Sequence, residues 1–328
     1  MPGCHKKVKR MIASDMENYL VQYPLLGAVG NTPLVRVGGF EQELSRVEIH
    51  AKLEYFNPGG SLKDRPVRQI LLDALVRGDL RPGKTILDSS SGNAGIAYAW
   101  LGAALGYPVA LVVPENASQE RLKRIRAHGA QLITTDALLG YDEALREVRR
   151  LAQAEPERYY FADQYSNQSN VRAHYEGTAA EILEQTQGEI THFVGGIGTG
   201  GSLTGIGRRL KEYNPDIQII AIVPEEFPGV EGLKPLGNPD AIVPDILDAS
   251  VIDQRMDVKV EDGYHMCWRL ARAGFFVGQS SGAYMQAAYT LAKTLDAGRI
   301  VTIFNDLGER YASTQLWEYD DWARSENH

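Results

Sequence analysis

From Ser89 to Pro114 the chain carries no charged side chain, yet Gly106-Tyr107-Pro108 cuts the run in two. A membrane span needs about 20 unbroken apolar residues, and this run is too divided to supply them. It reads instead as a buried helix, 94 to 105, followed by a buried strand, 109 to 113. A helix and a strand that both avoid water need layers on either side of them. A parallel sheet covered by helices on both faces meets that need.

The same alternation recurs along the chain. Thr85-Ile86-Leu87 precedes 94 to 105, the strand 109 to 113 precedes a helix over 117 to 128, and Gln131 to Thr134 precedes 141 to 153. After Tyr159-Tyr160-Phe161 it resumes with helix 171 to 186, strand 191 to 195, helix 202 to 213, strand 217 to 223, helices 262 to 273 and 282 to 296, and strand 299 to 304. The expected class is α/β, with two doubly wound, mainly parallel sheets. A chain of 328 residues, 44% hydrophobic and 23% charged, suits two lobes. Pro224 to Pro244 is the longest irregular piece; a loop of that length either covers a site or runs over the surface. The tail after Leu316 reads as a flap, a dimer contact or an unstructured end.

Charge narrows the function. With 34 basic and 42 acidic residues the net charge is -8, which argues against nucleic acid and does nothing to recruit an anionic membrane. Cys4 and Cys267 are too few for a disulfide framework or a CxxC metal site, and the seven histidines are scattered, so no metal is expected. The basic segment Met1 to Arg10 runs into Met11 to Asp15 and Glu17 with no apolar core of signal-peptide length, so the expected location is cytoplasmic. A small-molecule enzyme fits these bounds.

Four loops carry chemistry. Asn57-Pro-Gly-Gly-Ser-Leu-Lys63-Asp-Arg65 sets a lysine beside two glycines and a serine, where it can reach a bound aldehyde as a Schiff-base lysine. Taken alone, such a lysine is more often a solvated loop residue. Val194-Gly-Gly-Ile-Gly198-Thr199-Gly200-Gly201-Ser202 lies between a strand and a helix, where backbone N–H groups and the helix dipole form an anion site suited to phosphate. Asp88-Ser-Ser90-Ser91-Gly92-Asn93-Ala-Gly95 offers a second such site, suited to a carboxylate. Gly278-Gln-Ser280-Ser-Gly-Ala283 places hydroxyls at a further helix start, as a ligand group or a plain cap. A rival reading stays open. Gly196, Gly198 and Gly201 satisfy G-x-G-x-x-G and Glu225 follows the next strand, as in a nicotinamide-dependent oxidoreductase.

Asn31-Thr-Pro-Leu-Val35, Pro58 to Arg65, Ser90 to Asn93, Gly198 to Ser202 and Gly278 to Gly282, in this order, resemble the pyridoxal-phosphate cysteine synthase and cystathionine β-synthase family. Pro114-Glu-Asn-Ala-Ser118 and Gly188-Glu-Ile-Thr-His-Phe193 are similar to the B-type, or sulfur-carrier-dependent, cysteine synthases. The resemblance implies a tryptophan synthase β-like fold, fold type II, with residues 1–55 and 165–328 as the larger domain and 56–164 as the smaller. It implies pyridoxal 5'-phosphate held by Lys63, its phosphate by Gly198, Thr199, Gly200, Gly201 and Ser202, its ring hydroxyl by Asn93 and its pyridine nitrogen by Ser280. Ser90, Ser91, Gly92, Asn93 and Gln164 would hold the substrate carboxylate, and Lys63 would remove the α-proton. A neutral hydroxyl at the pyridine nitrogen makes the ring a weaker electron sink than an aspartate would, which favours loss of a β-leaving group and addition of a nucleophile. With acetate leaving and sulfide attacking, the product is cysteine. A homodimer and a sulfur-carrier partner are further implications.

Three positions depart from the family pattern. Ala94 stands where many cysteine synthases have a threonine, Glu225 stands where enzymes using O-phosphoserine have an arginine, and Lys234 falls near a basic position associated with thiosulfate. A carboxylate at 225 is expected to repel a phosphorylated substrate. Cystathionine-forming and diaminopropionate-forming β-replacement remain alternatives. Ala94 speaks against a dehydratase, in which a histidine usually follows the loop asparagine. The chain ends too early for the regulatory module of the cystathionine branch, and Cys4-His5 lacks the longer extension that carries its haem.

Overall fold

The computed structural model describes residues 16–44, 46–226, 229–234 and 243–318. They divide into two compact units, each with its own sheet. The first takes the described residues up to Gly30 together with Lys63–Asn170, and the second takes Asn31–Leu62 together with the described residues from Val171 onward.

In the first unit four parallel strands lie in the order Gln131–Thr135, Val109–Pro114, Thr85–Ser89, Tyr159–Phe161. Every residue of Val109–Pro114 is buried, as its uncharged sequence requires. The helix Asn93–Leu105 is buried around most of its circumference, and Gly106, at φ 75°, ends it where Gly106-Tyr107-Pro108 was expected to. Helices Asp64–Arg77, Asn93–Leu105 and Gln119–Ala127 supply one core cluster with Ile86, Leu111 and Val113. Helix Gly140–Ala154 gives Ala144 and Val148 to a second, against Leu87, Ala110 and Val112. Each Val or Leu so buried contributes about 1.5–3 kcal/mol before entropy is counted.

In the second unit, among the described residues, six strands lie in the order Leu34–Arg36, Val47–Leu53, Gly298–Phe304, His192–Gly196, Gln218–Pro224, Gln254–Val258. Only the first pair is antiparallel. Helices Gly201–Tyr213, Val260–Arg272 and Gln279–Ala292 cover it, with Phe193, Ile220, Met285 and Phe304 in one continuous core. The expected helix 171 to 186 is three pieces: Gln168–Ala173, a π-helical turn His174–Thr178, and Ala179–Thr186. A Cβ on Gly205 would lie 2.9 Å from the Tyr175 amide nitrogen, so the turn packs directly on the neighbouring helix.

The α/β class and two mainly parallel sheets are as expected. The boundaries differ from 1–55, 56–164 and 165–328. Leu26 and Val29 lie in the core of the first unit, and the Arg68 guanidinium donates to their carbonyls at 3.1 and 2.8 Å. The segment before Gly30 therefore belongs with the unit of Lys63, while residues 31 to 62 form strands of the other. Among the described residues no helix is long and apolar enough to cross a membrane. Cys4, most of the loop between Pro224 and Pro244, and the tail beyond Glu318 lie outside the described residues.

Candidate active site

Lys63 is half-buried and immediately precedes the helix Asp64–Arg77, its carbonyl accepting the Val67 amide at 3.2 Å. Asp64 accepts the Trp100 indole N–H at 3.1 Å, which ties this helix to Asn93–Leu105. Asn93 is the first residue of that second helix. Ser91, Gly92 and Asn93 are half-buried and Ser90 is buried, its hydroxyl accepting the Gly92 amide at 3.3 Å. The loop turns so tightly that a Cβ on Gly95 would stand 2.2 Å from the Ser90 carbonyl. Ala94 points into the apolar core. Gln164 is buried as well, and Asp88 joins it to the loop: one carboxylate oxygen accepts the Ser89 amide at 2.7 Å and the other the Gln164 amide at 3.4 Å. Ser90–Asn93 and Gln164 are thus brought together within the first unit.

The second unit gathers the remaining loops. Gly200, at φ 84°, caps the helix Gly201–Tyr213 in a conformation that favours glycine, with Thr199 buried and Ser202 half-buried beside it. A Cβ on Gly198 would lie 2.4 Å from the Gly232 carbonyl, because the segment 229–234 packs directly on this loop. The Lys234 amide donates to the Ile197 carbonyl at 2.8 Å, and the Glu231 amide to Gln279 Oε1 at 3.3 Å. Ser280 is buried, and its Oγ accepts Asn305 Nδ2 at 2.9 Å. With Asn305 donating to it, the Ser280 hydroxyl keeps its own proton for another acceptor, such as an unprotonated pyridine nitrogen. Asn305 is itself fixed by its amide to Ser281 Oγ at 2.8 Å, and its carbonyl accepts the Leu62 amide at 3.0 Å, one residue before Lys63. Tyr284 lies beside it, and burial pushes its phenol up to about 12, so it stays neutral. Burial likewise pushes the Cys267 thiol up, and it is inert.

The starts of the longer helices differ in charge. Gln119–Ala127, Gly140–Ala154, Ala179–Thr186 and Val260–Arg272 all carry an acidic residue in the first turn, as the positive end of a helix dipole favours. Asn93–Leu105, Gly201–Tyr213 and Gln279–Ala292 carry none. These are the three starts that the sequence marked as ligand loops. Helix starts of this kind suit a carboxylate and a phosphate, so the residues present fit pyridoxal phosphate and an amino acid.

Glu225 also has a structural task. Its Oε2 accepts the Val260 amide at 3.1 Å, so the carboxylate caps the helix Val260–Arg272 instead of holding a ribose. The nicotinamide reading loses a free acidic oxygen after this strand, because a helix amide takes Oε2. Asn305 and Asp88 escaped sequence reasoning. For Asn305 the available signal was a polar pair, Asn305-Asp306, directly after a buried strand.

Known proteins resemble this chain in sequence and in fold. The family described as pyridoxal-phosphate dependent enzyme matches residues 25–306. A cysteine synthase of Aquifex aeolicus is 50% identical over 90% of this chain and 93% of its own length. Cysteine synthase B of Pseudomonas aeruginosa is 40% identical over 91% of this chain and 99% of its own. Among solved structures, an O-ureido-L-serine synthase superposes with a TM-score of 0.84 at 36% identity, covering 90% of this chain and 95% of that one. The cysteine synthase of Entamoeba histolytica gives 0.84 and 36%, with 90% of each chain covered. Fold type II is therefore the architecture, pyridoxal 5'-phosphate is the coenzyme, and the chain belongs to the family of pyridoxal-phosphate dependent enzymes.

Proposed function

We infer that this enzyme makes L-cysteine by β-replacement, from O-acetylserine and sulfide or a related sulfur donor. The observation that carries the reaction class is Ser280, a buried hydroxyl held as a hydrogen-bond donor by Asn305. The relatives named cysteine synthase carry the product. When bound, the coenzyme supplies an electron-withdrawing ring conjugated to the substrate's α-carbon. Lys63 would anchor it and would take the α-proton on Nζ. Ser90, Ser91, Gly92, Asn93 and Gln164 hold the substrate carboxylate, with Asn93 also reaching the ring hydroxyl. Gly198 to Ser202 hold the phosphate. Ser280 would donate to the pyridine nitrogen, where a hydroxyl draws less charge from the ring than an aspartate would. The Cβ–O bond to acetate breaks as the α-proton leaves, and HS⁻ then forms the Cβ–S bond while a proton returns to Cα. The purified protein is expected to be yellow, to lose that absorbance with O-acetylserine and regain it with sulfide as cysteine appears. A protein inert to O-acetylserine would sink the reading.

The O-ureido-L-serine synthase likeness favours a second reading, in which the first half is unchanged and another nucleophile attacks. Turnover only with homocysteine or an amine would establish it. Lys234 bears on the donor, because its backbone is bonded to Ile197 beside the phosphate loop. Lys234→Ala is expected to raise KM for thiosulfate roughly fivefold and leave sulfide unchanged, as loss of one partly screened charge pair implies. Equal effects on both donors would remove Lys234 from donor selection. A second copy of the chain, a sulfur-carrier protein and a cytoplasmic location complete the proposal.

A further inference from the structure

A carboxylate sealed inside the first unit has no part in the chemistry described above. Asp88 is 1% exposed, in the strand Thr85–Ser89, with parallel strands on both sides. Burying a carboxylate is costly unless its oxygens are occupied, and here backbone amides from two separate segments occupy them. One is Ser89, at the head of the loop 90–93, whose carbonyl accepts the Tyr141 hydroxyl at 2.6 Å. The other is Gln164, at 3.4 Å. Asp163, just before Gln164, has φ 45°, an uncommon conformation for a residue with a side chain. The Gln164 carbonyl accepts Asn170 Nδ2 at 2.8 Å, so its peptides are held from both sides.

We propose that Asp88 is a positioning residue, whose buried carboxylate sets the distance between the loop Ser90–Asn93 and Gln164 and so shapes the holder of the substrate carboxylate. This rests on the amino acid reading of that loop. Geometry makes the role specific: Asp88 is the one side chain bonded to the backbone of both segments among the described hydrogen bonds. The titratable groups facing it are Tyr98 from the helix Asn93–Leu105, Tyr141 from Gly140–Ala154, and Tyr160, Asp163 and Tyr165 from the last strand and the loop after it. Burial raises all four phenols, leaving Asp163 as the other charge. The Tyr98 hydroxyl adjoins the carboxylate without closing a well-formed hydrogen bond. Burial pushes Asp88 up to about 7. Below that pH the protonated carboxyl is a poorer acceptor for two amides, and above it the ionised form holds both.

The test compares L-serine with ethanolamine, which has the same amine and hydroxyl but no carboxylate, by titrating the holoenzyme's coenzyme absorbance. The ratio of the two affinities cancels the ionisation of the amine. In the wild type the preference for L-serine is expected to grow severalfold from pH 6 to pH 8. In Asp88→Asn, whose amide can accept from only one of the two N–H groups, the preference is expected to fall about tenfold and to lose its pH dependence, with ethanolamine unaffected. An unchanged preference in the variant overturns the proposal. So does a preference that rises in the variant, or falls with pH in the wild type, since either would mean that Asp88 acts by repelling the substrate. Should that variant not fold, Asp88→Glu, which keeps the carboxylate and displaces its oxygens from the two amides, decides, and an unchanged preference there overturns the inference. A wild type that binds ethanolamine as well as L-serine at every pH removes the amino acid reading itself.

Discussion

Lys63→Ala is expected to lower cysteine formation by at least about 1,000-fold, since it removes both the covalent anchor of the coenzyme and the base for the α-proton. The fold should not suffer. Leu62 N–H still donates to the Asn305 carbonyl at 3.0 Å, Ser61 still bridges to Asp306, and the first turn of Asp64–Arg77 still closes from the Lys63 carbonyl to Val67 at 3.2 Å. None of these uses the lysine side chain. Borohydride reduction followed by denaturation reads the lost anchor: the wild type should keep the chromophore on the chain and the variant should release it, while an unchanged far-ultraviolet circular dichroism spectrum shows that the variant is folded. A primary amine such as ethylamine should restore a small part of the activity, as it can replace the base but not the tether. Activity within tenfold of the wild type would place the chemistry on another residue.

Why Lys63 could be read from sequence and Asp88 could not is a matter of which signals are local. The ligand loops announce themselves because close backbone approach demands glycine and helix starts demand small polar residues, and both demands act within a few positions. Strand and helix pairs announce themselves by uncharged runs and breaks such as Gly106-Tyr107-Pro108. The strand Gln254–Val258 gave no such signal. It lies at the sheet edge and is mostly exposed, so its sequence, Gln-Arg-Met-Asp-Val, needs no apolar alternation. A buried charge is still harder to see. Asp88 looks like the first polar residue of a loop, and Glu225 like a free carboxylate after a strand, until distant segments supply the amides that they accept. The unit to which residues 16 to 30 belong is equally non-local, since it depends on Arg68 reaching back to Leu26 and Val29.

The motif Asn31-Thr-Pro-Leu-Val35 is explained by another buried charge, and its loss gives the second large effect. Lys52, in the strand Val47–Leu53, has a side chain 0% exposed; its Nζ lies 2.6 Å from Glu181, 2.6 Å from the Thr32 carbonyl and 2.8 Å from Gln185 Oε1. Glu181 also accepts the amide of Asn31, which has φ 48°. Thr32 donates its hydroxyl to Glu54 at 2.8 Å, and Glu54 accepts Asn57 Nδ2 at 3.0 Å, at the head of the loop that leads to Lys63. Lys52→Met keeps the apolar stem and removes the charge, leaving a mostly buried Glu181 carboxylate and the Thr32 carbonyl without it. Breaking a buried pair on one side costs about 3–5 kcal/mol. For a unit of this size that lowers the melting temperature by roughly 6–20 °C. Lys52→Met combined with Glu181→Gln should recover part of the loss, because most of the penalty belongs to the stranded carboxylate and not to the missing attraction. Calorimetry on the wild type, both single variants and the double variant checks this. A single Lys52→Met that melts within 2 °C of the wild type would mean that water reaches Glu181, and the motif would then owe its form to the Thr32–Glu54–Asn57 chain alone.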